Sequence, residues 1–221
     1  MHHETGQGKT FWIYDIETAI RPEARQYLET ADLGYDSRLK DPAKIEASRA
    51  EKRETAIEKA ALYWWYGQVV SIAAVSECGN HSFIKTGSDE LDILKAFFNL
   101  LHSERSSGKQ VQLIGKSNAM FDDGYLVGRA IALDIGIPEA LRPSRPVTDI
   151  DQMFSFSSQS ANTGKLAYYG YGIGCDKSAS GSDVAAMVVA GDWVRLAEYN
   201  MQDVKITAEL FRRWRKEYTP S

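Results

Sequence analysis

Apolar and polar positions alternate along this chain with two different periods, and the places where the period changes mark its elements. Residues 11–18, Phe11-Trp12-Ile13-Tyr14-Asp15-Ile16-Glu17-Thr18, are mostly β-branched or aromatic, which predicts a strand apolar on both faces and therefore central in a sheet. Residues 22–31 predict a short helix and residues 32–40 a polar connection. Asp41-Pro42, an N-cap followed by proline at the first helical position, opens a charged helix running to about Trp65. That helix turns apolar at Ala60, Ala61, Leu62, Trp64, Trp65 and Tyr66, so its far end must dock on something. Core packing is the default for such a cluster, and a stacking surface for nucleic-acid bases is the other reading.

Residues 68–77 and 81–86 read as strands joined at Cys78-Gly79-Asn80, a tight hairpin. Ser88 can cap a helix from Asp89 to about Arg105, striped by Leu91, Leu94, Phe97, Phe98 and Leu101. A strand over Gln110–Gly115 leads to a helix from about Asp122 to Ile135, ended near Gly136. Pro146 to Phe154 reads as a short strand entering a Ser-rich loop at 155–163, and residues 166–174 carry no decisive period. Residues 182–190 form a short helix, and Asp192 caps a long final one reaching about Tyr218. The order predicts one α/β domain over residues 1–221, with a mixed sheet that begins as an antiparallel meander between flanking helices. A flexible tail over residues 1–9 and a helical insertion over about 32–66 complete it.

Composition narrows the function classes. At 43% hydrophobic and 25% charged residues the chain has ordinary globular content, which excludes wholesale disorder. No apolar run reaches membrane-spanning length and the first residues lack a signal-peptide core, so no membrane partner and a cytoplasmic location are expected. Cys78 and Cys175 are spaced neither as a metal knuckle nor as a disulfide framework, which fits structural roles in a reducing compartment. The net charge of −4 argues against a long basic surface covering duplex phosphates. It leaves room for a small acidic site in which metal ions supply the positive charge facing phosphate. The densest basic run, Arg212-Arg213-Trp214-Arg215-Lys216, reads as a solvated last turn complementing the helix dipole.

The chemistry concentrates in acidic pairs. Period 2 puts Asp15 and Glu17 on one face of the first strand, where two like charges must be solvated, share a proton or hold a cation. Asp122 follows a strand end within Gly115-Lys116-Ser117-Asn118-Ala119-Met120-Phe121-Asp122-Asp123, at a helix start where a carboxylate can also serve as a simple cap. Tyr199 and Asp203 are four apart on a helical face shared with Leu196, Ile206 and Leu210, so Asp203 points towards the core and needs a partner. Four carboxylates and a tyrosine suit a two-metal phosphodiesterase: hard oxygen ligands for Mg²⁺ or Mn²⁺ and a polar group to orient water.

In that order, Asp15-x-Glu17, Asn118-x-x-Phe121-Asp122 and Tyr199-x-x-x-Asp203 resemble the three motifs of the DEDD 3′-5′ exonucleases, tyrosine subtype. The likeness is to the proofreading exonuclease domains of family-B DNA polymerases and their stand-alone phage and bacterial relatives. Lys40-Asp41-Pro42, Gly67-Gln68-Val69-Val70 and Gly181-Ser182-Asp183-Val184 carry it further, over roughly residues 10–212. The resemblance implies a ribonuclease-H-like three-layer fold and two divalent cations, Mg²⁺ or Mn²⁺. By the family's pattern Asp15 bridges both, Glu17 and Asp203 complete the first, Asp122 supports the second, and Tyr199 orients or helps deprotonate the attacking water. It implies release of nucleoside monophosphates from 3′ ends, most simply of single-stranded DNA, with Thr18, Asn118, Phe121 and Tyr125 as substrate-binding residues. RNA is the nearest rival substrate. A non-catalytic nucleic-acid-binding module of the same fold is the rival from another class. A separate polymerase, or a repair or defence complex, is the implied partner. Ser117 stands where the family often has His, and no polymerase domain follows, so proofreading within this polypeptide is not expected.

Other candidates rank lower. Asp149-Ile150-Asp151 repeats the same-face spacing without a family motif, and Asp123 lacks the Asn-x-x-Phe-Asp register. Gly170-Tyr171-Gly172-Ile173-Gly174 lacks the strand-turn-helix context of a dinucleotide fingerprint. His2, His3, His81 and His102 have no ligand spacing, and Lys177 and Asp183 read as solvent-exposed.

Overall fold

A computed structural model describes residues 8–142, 148–153, 165–175 and 181–218. Five strands form one sheet in the order β3-β2-β1-β4-β5: β1 (Lys9–Ile20), β2 (Gly67–Ser76), β3 (Ser82–Thr86), β4 (Gln110–Gly115) and β5 (Thr148–Asp149). The β2–β3 hairpin is antiparallel, and Gly79 at its tip takes φ +73°, which glycine adopts without a Cβ penalty. Strands β1, β4 and β5 run parallel, with Ile13 opposite Ile114 and Gly115 opposite Asp149. The apolar run therefore lies centrally, and β1 is longer at both ends than its sequence core.

The chain divides into two compact units, one of Met1–Glu17 with Val69–Ser221, the other Thr18–Gln68. In the first unit the pleat of β1 sorts side chains to two cores. Trp12, Tyr14 and Ile16 pack with Phe97, Leu101 and Leu126 from α3 (Glu90–Ser106) and α4 (Asp122–Ala132). Ile13 packs on the opposite face with Val204, Leu210 and Phe211 of α8 (Trp193–Tyr218) and Ile150 of the single turn α5 (Ile150–Met153). Helices thus cover both faces of the sheet. The second unit holds the end of β1, α1 (Pro22–Thr30), α2 (Pro42–Lys59) and a 3₁₀ turn at Ala60–Leu62. Among the described residues no helix is long and apolar enough to cross a membrane.

Several boundaries differ from the sequence reading. Helix α2 stops at Lys59 rather than near Trp65: Tyr63 N–H returns to the carbonyl of Ala60, and the aromatic run leaves the helix. Those rings are not core, since Leu62, Tyr63, Trp64 and Trp65 are all exposed and only Ala60 is buried. Asp89, not Ser88, caps α3, its carboxylate accepting the Asp92 N–H. Helix α4 ends at Ala132, and Asp134 at φ +52°, rather than Gly136, makes the left-handed turn. Of the strand expected over 146–154, the described residues keep only Thr148–Asp149, because Asp149 accepts the Asp151 N–H and α5 starts at Ile150; residues 146, 147 and 154 lie outside the described residues. Residues 166–173 form α6 (Leu166–Ile173), closed by Gly174 at φ +76°. Helix α7 (Val184–Ala190) follows a 3₁₀ turn at Gly181–Asp183, and Asp192 caps α8 through the Arg195 N–H. Of the expected tail, residues 1–7 lie outside the described residues and Lys9 opens β1; the Ser-rich loop and Lys177 also lie outside them.

Candidate active site

The C-terminal ends of the parallel strands gather the acidic residues, the usual place for a site in an α/β sheet. Strand β1 carries Asp15 and Glu17, both half-buried, on the face that α8 covers. From α8 comes Asp203, 5% exposed, and the three residues offer carboxylate oxygens lying within 4.8 Å of one another. At an effective dielectric near 20, two unit charges at that spacing repel by about 3.5 kcal/mol. Three such groups ionised together favour a cation strongly. Hard carboxylate oxygens from separate elements fit a divalent ion such as Mg²⁺ or Mn²⁺.

Asp122 is not part of that triad, but it belongs to the same electrostatic site. It is the first residue of α4 and is buried. Burial first, then the charges of Asp15 and Asp123, hold its carboxyl well above the usual carboxylate range. A buried acid kept beside other acids is a charge whose ionised form awaits compensation. Its neighbour Asp123 is half-buried and accepts a hydrogen bond from the Tyr14 hydroxyl. The adjacent pair thus splits between roles, as two helix positions about 100° apart must.

Tyr199 sits one turn before Asp203 on α8 and is buried. Burial first, then the charges of Glu17, Asp203 and Asp15, push its phenol above the ordinary tyrosine range, and its hydroxyl hydrogen-bonds to Asp203. A Cβ placed on Gly181 would lie 3.7 Å from that hydroxyl, so the backbone before α7 passes close by. The next residue, Asn200, is fully buried and donates from Nδ2 to Ser71 Oγ at 2.8 Å, which fixes the rotation of α8 against β2.

The turn from β4 into α4 is built around Ser117, a non-glycine residue at φ +59°. Left-handed backbone costs such a residue about 1–2 kcal/mol, and hydrogen bonds from both its polar groups offset this. Its N–H donates to Asp149 at 3.0 Å and its hydroxyl to Asp151 at 2.6 Å. Asp151 also accepts from Lys116 Nζ at 3.1 Å and from the Tyr169 hydroxyl at 3.2 Å. The rival pair Asp149 and Asp151 therefore holds the loop. Sequence reasoning passed over Lys116 and Tyr169; the signal available for Lys116 was its place directly after a parallel strand's C-terminal end.

The remaining sequence candidates fall in different settings. Asn118 is fully buried, and among the described residues neither its amide nitrogen nor its oxygen has a hydrogen-bond partner. It packs against Gly115, where an added Cβ would come within 2.7 Å of Asn118 Cβ. Phe121 is half-buried with its ring 5.3 Å from that of Tyr125, and Tyr125 itself lies in the core. Thr18 belongs to the second unit, where its hydroxyl donates to the Ala61 carbonyl at 2.8 Å. The site thus brings together Asp15, Glu17, Asp122, Tyr199 and Asp203, and leaves Tyr125 as packing.

No protein-family model matches the sequence, and neither does any curated protein. The structure is similar to that of the family B DNA polymerase from the hyperthermophilic archaeon Pyrobaculum calidifontis, with a TM-score of 0.57 and 16% identity over 93% of this chain and 24% of that one. It is also similar to the zinc-bound form of E. coli ExoI in complex with single-stranded DNA, with a TM-score of 0.51 and 12% identity over 96% of this chain and 41% of that one. The chain thus spans under half the length of either protein. At these identities the likeness establishes the fold, and the mixed sheet between two helical layers is ribonuclease-H-like.

Proposed function

We propose that this chain is a metal-dependent 3′-5′ exonuclease that hydrolyses phosphodiester bonds and releases nucleoside monophosphates, with single-stranded DNA as the favoured substrate and RNA as the alternative. The observation that carries this reading is the placement of Asp15, Glu17 and Asp203 oxygens within 4.8 Å of one another. Asp122 and Tyr199 supply the flanking groups that the same chemistry needs. Likeness to a structure that holds single-stranded DNA and zinc supports both the substrate class and a divalent ion.

Asp15, Glu17 and Asp203 would hold one cation, and Asp15 with Asp122 a second. When bound, Mg²⁺ or Mn²⁺ supplies Lewis acidity toward a phosphoryl oxygen and acidifies a water ligand. Tyr199 commits its proton to Asp203, which leaves its phenolic oxygen to accept from a water O–H and aim that water. The raised phenol pKa supports orienting the water over deprotonating it. Asp123 keeps Tyr14 in place and Asp149 keeps Ser117 in its turn, so β1, which carries Asp15 and Glu17, and the turn that leads from β4 to Asp122 are both braced. Asp203→Ala removes an oxygen donor and the Tyr199 partner together. Hydrolysis of a labelled single strand under Mg²⁺ or Mn²⁺ should fall by roughly 10²-fold or more, with an unchanged circular dichroism spectrum. Wild-type hydrolysis with the same metal dependence would overturn the assignment.

A further inference from the structure

The second unit exposes an aromatic surface that nothing within that unit buries. Tyr27, Leu62, Tyr63, Trp64 and Trp65 are between 37% and 59% exposed. Their backbone is nevertheless fixed. Tyr66 and Gly67 both donate to the Tyr63 carbonyl, Arg21 N–H donates to the Tyr66 carbonyl, and an Arg21 guanidinium nitrogen donates to the Trp65 carbonyl at 2.6 Å. The rings are also ordered against each other. Tyr63 stacks on Trp65 with centroids 5.0 Å apart, Trp64 meets Trp65 edge-on at 5.6 Å, and Tyr27 stacks on Tyr66 at 6.4 Å. Holding several large rings in water sacrifices the burial that normally rewards them, so the fixed geometry points to a ligand with flat apolar faces.

Charge narrows the ligand. Residues 18–68 hold nine Lys or Arg against nine Asp or Glu, so this unit is neutral while the whole chain carries −4, and a polyanion meets no net repulsion here. Tyr63 borders a depression of about 490 Å³ that Lys52 and Lys59 also line. Asp36 and Glu51 line it too, but Asp36 is held by Arg38, and neither lysine is tied into a salt bridge among the described residues. Aromatic faces for bases beside ammonium groups for phosphates are the two parts of a single-strand binding surface.

We infer that the ring cluster of Tyr63, Trp64 and Trp65 is a base-stacking surface that, with Lys52 and Lys59, binds a single nucleic-acid strand. The identity of the occupant rests on the nuclease reading. An apolar protein surface or a second copy of this chain would engage the rings without needing bases.

The test uses the full chain in chelator, so that binding is read without turnover, with two probes: oligothymidylate of about 20 nucleotides, and an abasic strand of equal length. Oligothymidylate should quench wild-type tryptophan emission, and the abasic strand should not. The double variant Trp64→Ala/Trp65→Ala should bind oligothymidylate about tenfold or more weakly, yet bind the abasic strand as wild type does. Trp65→Phe, which keeps a ring, should retain most of the affinity and guards against a misfolded double variant. Absent quenching, or equal oligothymidylate affinity in wild type and a folded double variant, overturns the inference. So does a wild-type dimer that the variant dissolves without change in DNA affinity. A wild-type chain that binds through the rings but leaves the strand intact under Mg²⁺ and Mn²⁺ would sink the nuclease reading alone.

Discussion

Asp122 shows how strongly this site penalises an ionised carboxylate. Its carboxyl is buried beside Asp15 and Asp123, so ionising it costs free energy that a bound cation would recover. Asp122→Asn keeps the volume and removes the charge. The metal-free variant should melt higher than wild type, by about 2–4 °C for each kcal/mol of burial and charge penalty relieved, and should show much less of the upward shift expected for wild type with Mn²⁺. A lower melting temperature in chelator would show that the carboxylate is compensated without metal. Gly115 is the steric counterpart. Because a Cβ there would sit 2.7 Å from Asn118 Cβ and 3.3 Å from the Tyr14 carbonyl oxygen, Gly115→Ala should cost about 1–3 kcal/mol in urea unfolding and lower hydrolysis with it. Period 2 made Asp15 and Glu17 legible as a pair, and helical spacing did the same for Tyr199 and Asp203. Register with other elements was invisible, so nothing in the sequence showed that Asp149 would hold Ser117 or that Tyr125 would be core.

Between elements, a buried ion pair joins α3 and α4 to β2. Glu90 and Arg129 are both buried; Arg129 donates to both Glu90 oxygens, at 2.9 and 2.7 Å, and Val69 N–H donates to Oε1 at 2.7 Å. Glu90→Gln removes the bidentate carboxylate charge from beside the buried guanidinium and should cost about 3–5 kcal/mol, read as a lower urea midpoint. A loss below about 1 kcal/mol would mean that water reaches the arginine. Sequence periodicity located most elements because burial of one stripe or one pleat face decides them, as in α3 and β4. It failed at ends that side chains decide: Asp89 rather than Ser88 starts α3, and Tyr63 turns back at the end of α2. The aromatic run also misled, because apolarity alone cannot separate a ring that packs from a ring held out for a ligand.

At the scale of the whole chain, the ribonuclease-H-like sheet sets acids from β1, α4 and α8 into one electrostatic cluster, and the insertion after Glu17 carries an exposed aromatic surface. The fold was legible as an order of elements, with the parallel strands and the hairpin following from their connections. The proposed 3′-5′ direction rests on the resemblance of the motifs, since end polarity depends on how a strand lies in the site and not on the ligand set. The most direct measurement is therefore product analysis on single-stranded DNA and RNA of one sequence, labelled at either the 3′ or the 5′ end, with Mg²⁺, Mn²⁺ or chelator, beside Asp15→Ala. A 3′-5′ exonuclease gives labelled mononucleotide at once from the 3′ label and a shortening ladder from the 5′ label, only with metal and not in the variant, and the faster substrate names the sugar. No cleavage of either strand by a metal-loaded wild-type protein, or products of internal cuts, would contradict it.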